Sequence, residues 1–137
     1  MEYGKLIQAA FEAQRKAYAP YSGFQVGAAL LAGSGRIYGG CNIENASYGA
    51  TNCAERTAFF RAIYEGEREF KAIAIAGKLS DSDTFEYCAP CGICRQVMSE
   101  FCDGEDFLII LPRSQSDYKV YSLNELLPLS FTKKDME

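Results

Sequence analysis

The stretch that decides the fold is Thr51–Ala58, TNCAERTA, read together with a second short motif, Pro90–Arg95, PCGICR. Each motif carries the signals of a helix start, and the proline ahead of Cys91 suits the first helical turn. Because Cys91 and Cys94 are three residues apart, their sulfurs face the same side of that turn. Cys53 stands at the start of the other helix. The sequence therefore predicts that two helix N-termini bring three thiols to one point.

Three thiols held in this way are typical of a zinc site whose fourth tetrahedral position is kept for water, as in catalytic zinc sites. Glu55 lies two residues after Cys53, so it can sit beside that water without binding the metal and carry protons. Helix N-termini favour thiolate over thiol. Arg56 is a candidate hydrogen-bond donor to a ligating sulfur, which would offset the excess negative charge. The pattern predicts one zinc ion per chain.

A fourth cysteine leaves another interpretation open. Cys88 lies three residues before Cys91, and four thiols could close a structural zinc site that holds no water. A redox Cys-x-x-Cys pair is a further alternative. The structural site gives no purpose to Glu55, and the redox pair explains neither Cys53 nor Glu55. We therefore favour the catalytic arrangement and leave the role of Cys88 open.

Composition excludes several classes of function. The chain has 137 residues, is 48% hydrophobic and contains no histidine, so histidine-activated nucleophiles and histidine-containing metal sites are excluded. The formal charge is −4, and scattered lysines and arginines argue against a nucleic-acid groove. The absence of a secretion signal or an apolar stretch of about 18 residues predicts a cytoplasmic protein with no membrane partner. We expect a single domain over residues 1–137.

Hydrophobic periodicity predicts an α/β fold. The expected elements, in chain order, are a helix over 3–19, strands over 24–31 and from 36, a helix over 53–64, a strand over 72–76, a helix from 91 and strands over 107–111 and 118–121. Asn52 is the expected N-cap of the second helix, and Ile93 is expected to be buried in the third. Because a helix precedes the third strand, we expect that strand to run parallel to its neighbour through a right-handed crossover.

The motif Cys-Ala-Glu at 53–55, followed at a distance by Pro-Cys-x-x-Cys at 90–94, resembles the zinc-dependent cytidine deaminases. Further matches, at 21–28, 40–46 and 126–131, extend the resemblance over most of the chain. It implies a three-layer α-β-α sandwich around a mixed five-stranded sheet, in a homotetramer that shares active sites between subunits. The implied reaction is hydrolytic deamination of cytidine and deoxycytidine in pyrimidine salvage, with Glu55 moving the protons.

The resemblance also implies residue roles. Phe24 matches the phenylalanine that packs against the pyrimidine ring, and Ala54 falls at a substrate-binding position. Asn42 and Glu44 match the residues that hold the ribose 3′-hydroxyl; two residues apart on an extended segment, their side chains point the same way. Phe131 matches the residue that covers the substrate of a neighbouring subunit. Taken without the resemblance, Phe24 would be an ordinary core aromatic side chain.

Within this group of enzymes, the choice of nucleoside remains open. Deaminases of the peptidyl-nucleoside antibiotic blasticidin S share the zinc motifs and are the alternative. Guanine and tRNA-adenosine deaminases typically place histidine where this chain has Cys53, which disfavours them. The resemblance does not rank cytidine, deoxycytidine and their analogues.

Overall fold

The computed structural model describes residues 2–137. Its helices and strands, in chain order, are α1 (Gly4–Gln14), β1 (Phe24–Ala32), β2 (Ile37–Cys41), α2 (Ala54–Tyr64), β3 (Phe70–Leu79), β4 (Glu86–Tyr87), α3 (Gly92–Phe101), β5 (Leu108–Pro112), β6 (Tyr118–Ser122) and α4 (Leu123–Leu126). Short 3₁₀ helices lie at Tyr48–Ala50 and Lys133–Met136. No helix in this part of the chain has the length and apolar character needed to cross a membrane.

A mixed sheet forms the middle layer, with strand order β2-β1-β3-β5-β6 and the two-residue β4 paired to β3. The five-stranded mixed sheet is thus confirmed, with β4 as a short addition before α3. The prediction that the third strand runs parallel to its neighbour is wrong for one of its two long neighbours. β3 pairs antiparallel with β1 and parallel with β5. Helix α2 connects β2 to β3, and β1 lies between these two strands in the sheet. β2 and β3 are therefore parallel to each other without being neighbours.

Helices cover both faces of the sheet, which confirms the three layers. On one face, α1 packs against small β3 side chains, Ala72, Ala74 and Ala76. On the other face, α2 and α3 pack against the alternating β3 residues Ile73 and Ile75. The period of two along the strand sends successive side chains to opposite layers. Two apolar clusters, one on each side of the sheet, therefore hold the helices in place.

Helix α1 ends at Gln14, five residues before the predicted end. Tyr18 is instead drawn into backbone pairing with a distant segment. Its N–H donates to the Asn42 carbonyl at 3.0 Å, and its own carbonyl accepts from the Glu44 N–H at 2.9 Å. Because this pairing joins residues far apart in sequence, helical periodicity could not reveal it.

Two local predictions on the other helices are also wrong. The N-cap of α2 is Cys53 and not Asn52. The side-chain amide of Asn52 instead donates to Thr57 Oγ1 at 3.0 Å. Ile93 is 62% exposed, because the first turn of α3 turns Cys94 inward and places its neighbour on the outside. Neither difference from the predictions affects the expected approach of the first turns of α2 and α3.

Candidate active site

Three sulfurs meet where helices α2 and α3 begin. Cys53 and Cys91 are the N-cap residues of the two helices, and both have extended backbone. The Sγ atoms of Cys53 and Cys91 are 3.8 Å apart, and those of Cys91 and Cys94 are 3.5 Å apart. All three lie within 4.8 Å of one another. Tetrahedral zinc with bonds of about 2.3 Å requires sulfurs about 3.8 Å apart, so the three residues fit one zinc ion.

Strand β2 lies directly under the first turn of α2 and fixes its position. A Cβ atom on Gly40 would lie only 2.5 Å from the Ala54 carbonyl oxygen and from the Ala58 nitrogen. Only glycine permits this approach of backbone to backbone. The contact fixes the first turn of α2, with Cys53 and Glu55 on either side of Ala54, against β2.

Arg56 reaches back to the sulfur cluster, as the sequence predicts. Its Nη2 donates to Cys53 Sγ at 3.3 Å, and its buried Nε has no hydrogen-bond partner among residues 2–137. The Cys94 thiol and then Arg56 stabilise the thiolate and lower the pKa of Cys53 to about 5. Donating to that sulfur raises the pKa of Cys94. The site thus favours negative charge on the Cys53 sulfur, and a thiolate is the state that binds metal.

Glu55 lies beside the sulfurs in the first turn of α2 and is only 5% exposed. Burial raises the pKa of its carboxyl to about 7, and the nearby negative charge of Cys53 adds to this effect. A carboxyl whose pKa is near neutrality can both take up and release a proton at physiological pH. The position and the environment of Glu55 suit a proton carrier.

Cys88 does not belong to the sulfur cluster, which within residues 2–137 consists of Cys53, Cys91 and Cys94. Its sulfur lies 3.1 Å from the place that a Cβ on Gly77 would take, on the same side as the Phe24 ring. Burial raises the pKa of the Cys88 thiol to about 12, with a further contribution from the charge of Glu55. The geometry is therefore that of a three-thiolate site.

Phe24 and Asn42 lie together at the start of β1. Asn42 is 8% exposed, and its amide is held by the β1 backbone. Its Oδ1 accepts from the Val26 N–H at 2.9 Å, and its Nδ2 donates to the Phe24 carbonyl at 2.8 Å. The Phe24 ring is partly buried over Gly77. The Oδ1 atom of Asn42 keeps one acceptor position for another partner, and its Nδ2 atom keeps one N–H donor.

Glu44 lines an open cavity of about 380 Å³ together with Tyr21, Ser22, Tyr48 and Thr51. This volume is in the range of sites for small organic ligands. The Ser22 hydroxyl donates to the Glu44 carboxylate, and this bond lowers the pKa of Glu44. The contact with Ser22 was not predicted, because the sequence shows no signal that pairs residues 22 apart.

The remaining predicted residues lie at different depths. Ala54 is fully buried as the first residue of α2. Phe131 is 60% exposed, and the Gln96 side chain donates to its carbonyl at 2.7 Å. A larger cavity of about 620 Å³ lies near the C-terminus, but none of the predicted site residues line it. Volume alone therefore does not mark the site.

The family model for the cytidine and deoxycytidylate deaminase zinc-binding region matches residues 1–109, which include all three cysteines and Glu55. The chain belongs to this deaminase family. Zinc is accordingly its metal cofactor, and the cluster of Cys53, Cys91 and Cys94 is the group that could hold it. The chemistry of the family and the geometry of the sulfurs point to the same metal.

Deaminases from other organisms resemble the chain along its whole length. Cytidine deaminase of Halalkalibacterium halodurans is 50% identical over 136 residues, which cover 99% of this chain and 98% of the relative. The Sporosarcina psychrophila enzyme is 48% identical, with 99% and 96% covered. The crystal structure of cytidine deaminase from Burkholderia pseudomallei matches with a TM-score of 0.85 at 49% identity, covering 96% of this chain and 100% of that one. The fold of the deaminase family is thereby confirmed.

Proposed function

We propose that the chain is a zinc-dependent cytidine deaminase that hydrolyses cytidine and deoxycytidine to uridine and deoxyuridine and releases ammonia. The observation that carries this proposal is the buried carboxyl of Glu55 beside three clustered sulfurs. The relatives named cytidine deaminase, at 48% and 50% identity over 136 residues, support the choice of substrate.

The proposed reaction assigns proton transfer to one side chain. Bound zinc supplies the lowered pKa of water that such hydrolysis needs. Glu55 accepts a proton from the water that attacks C4 of the cytosine ring and delivers it to N3. It then takes the remaining proton from the oxygen added at C4 and delivers it to the departing amino group, which leaves as ammonia. A pKa raised to about 7 by burial suits both directions of transfer. Arg56 holds the Cys53 sulfur in place and offsets part of its charge.

Substrate recognition uses the residues around the start of β1. Phe24 packs against the cytosine ring, and Ala54 contacts the substrate from the first turn of α2. Asn42 and Glu44 hold the ribose 3′-hydroxyl. Their hydrogen bonds to the backbone of β1 and of the segment before it support this role, since a fixed amide and carboxylate bind at low entropic cost.

The active form is a homotetramer with one zinc per subunit and active sites shared between subunits. Phe131, which covers a neighbour's substrate in this arrangement, is 60% exposed. Other large apolar side chains are exposed as well, among them Phe60, Tyr64, Ile93 and Leu129. Phe60 and Tyr64 are four residues apart and so lie on one face of α2, and adjoining exposed apolar side chains favour burial in a subunit interface.

The setting that we propose is cytoplasmic pyrimidine salvage by a single domain over residues 1–137, acting on free nucleosides and not on nucleic acids or membranes. None of the six cysteines, all of which lie within residues 2–137, forms a disulfide, which suits a reducing compartment. The formal charge of −4 gives no attraction for phosphate backbones.

The decisive experiment measures zinc content and ammonia release from the same purified protein. Cytidine, deoxycytidine, cytosine and blasticidin S serve as substrates, and we expect rapid release from the first two and one zinc per chain. Turnover of blasticidin S alone would replace the nucleoside assignment with the antibiotic one. A zinc-loaded protein that releases no ammonia from any of them would refute the proposed function.

A further inference from the structure

The Glu44 carboxylate is fixed almost entirely by the residues that precede β1. Its Oε1 accepts from the backbone N–H of Tyr21 at 3.0 Å and of Ser22 at 3.1 Å. The Ser22 hydroxyl donates to Oε2 and accepts from the Phe24 N–H at 3.0 Å. Ser22 therefore joins the carboxylate to the backbone of the aromatic residue. A side chain held by three donors loses little freedom when a ligand arrives.

These bonds leave a countable capacity for a ligand. A carboxylate offers about four acceptor positions, and three of those on Glu44 are already used. One acceptor position therefore remains, on Oε2. Asn42 has already used one of its two N–H donors on the Phe24 carbonyl, so one donor remains. One free donor on Asn42 and one free acceptor on Glu44 together match one hydroxyl group, which both accepts and donates.

We infer that Ser22 is the positioning residue that limits Glu44 to a single ribose hydroxyl and orients its carboxylate toward that hydroxyl. The inference rests on the proposed function, in which Glu44 holds the 3′-hydroxyl. Without the Ser22 hydroxyl, the carboxylate can rotate about its backbone N–H contacts, and a second acceptor position on Oε2 is exposed to water. Nucleosides that have a 3′-hydroxyl then bind more weakly. The affinity for a nucleoside without a 3′-hydroxyl does not change, because it makes no hydrogen bond to Glu44.

The test compares three substrates, cytidine, 2′-deoxycytidine and 3′-deoxycytidine, on wild type and Ser22→Ala. We expect the KM of the first two to rise about tenfold, the scale of one hydrogen bond to a charged group, with kcat changed less than about twofold. The KM for 3′-deoxycytidine should be the same in both proteins. Ser22→Thr, which keeps a hydroxyl, should restore the KM for cytidine.

The chain contains a matched control, Ser34, which follows the far end of β1 just as Ser22 precedes its start. The Ser34 hydroxyl donates to the Glu67 carboxylate at 2.7 Å and accepts from the Arg36 N–H two residues later at 3.4 Å, in the same pattern. Ser34→Ala removes an equivalent bond without touching the site. It should leave all three KM values unchanged, which separates positioning from a general effect on the fold.

The outcomes are distinct. Equal KM increases for all three substrates, or no increase for any, would overturn the inference while leaving deamination intact. A wild-type protein without cytidine turnover would instead overturn the proposed function and this inference together. If Ser22→Ala is insoluble, Ser22→Cys, whose thiol is a weak donor, gives the same comparison, and equal loss on the three substrates would again count against us.

Discussion

Glu55 is the side chain on which the proposed chemistry depends. Its burial costs stability, because a carboxyl at the start of α2 is removed from water. Such a cost is typical of active sites, where a perturbed pKa serves the reaction. The carboxyl is also held by the backbone of a helix rather than by a loop, so its distance from the sulfurs is fixed.

Glu55→Gln should keep the zinc and the fold and lose nearly all turnover. Glutamine has the same shape but cannot exchange protons, and general acid-base catalysis contributes about 10²- to 10⁴-fold. Metal analysis, circular dichroism and ammonia release measure the three properties. Glu65→Gln, at the exposed C-terminal end of the same helix, is the control and should be fully active. A zinc-replete Glu55→Gln protein with normal turnover would contradict the assignment.

Cys88→Ser decides between the two zinc arrangements. Since Cys88 lies outside the three-sulfur cluster, we expect the variant to retain one zinc per chain and measurable turnover. Cys91→Ser, which removes a member of the cluster, should lose the metal. If Cys88→Ser loses both zinc and structure, the site is a closed four-thiol one, and the hydrolytic mechanism must be abandoned.

At the scale of secondary structure, the contact between α2 and β2 sets the site. The two helix starts would not meet if α2 were displaced outward from the sheet. Gly40 permits the approach, since any larger residue would place its Cβ 2.5 Å from the Ala54 carbonyl oxygen. The same strand contains Gly39, whose Cβ would meet nothing closer than 3.8 Å. The two neighbouring glycines thus have different roles.

Gly40→Ala should therefore destabilise the protein and weaken its zinc affinity together. The clash is with backbone, which cannot turn aside, and overpacking of this kind costs about 1–3 kcal/mol. Thermal unfolding and competition with a chelator report the two effects. Gly39→Ala should change neither by a comparable amount. Equal losses for both variants would mean that the approach of α2 to β2 is not what fixes the metal site.

At the scale of the whole molecule, a second subunit completes the active site in the homotetramer that we propose. Phe131 lies beyond α4, and its side chain is largely exposed in the single chain. A large apolar side chain gains little stability by staying in water. The unfavourable exposure of Phe131 to water is removed if its ring covers a substrate or packs in a subunit interface.

Phe131→Ala should raise the KM for cytidine without lowering the melting temperature. Subunit sharing can be tested by mixing this variant with Glu55→Gln and allowing subunits to exchange. A hybrid site that combines an intact Glu55 with an intact Phe131 from the neighbour should recover a low KM. Without sharing, the mixture keeps the raised KM of Phe131→Ala. Lys134→Ala, at an exposed position of the same tail, is the control for general changes in the tail.

The sequence by itself identified Cys53, Cys91 and Cys94 as a candidate metal-binding cluster, whereas the three layers were implied by the resemblance to the deaminase family. Helix starts and the three-residue spacing of Cys91 and Cys94 are local features, so this candidate cluster could be predicted from the sequence. Only the tertiary structure decided the antiparallel pairing of β3 with β1, the early end of α1 and the bond between Ser22 and Glu44. Each of these joins segments far apart in the chain, and their pairing depends on the free energy of the whole fold.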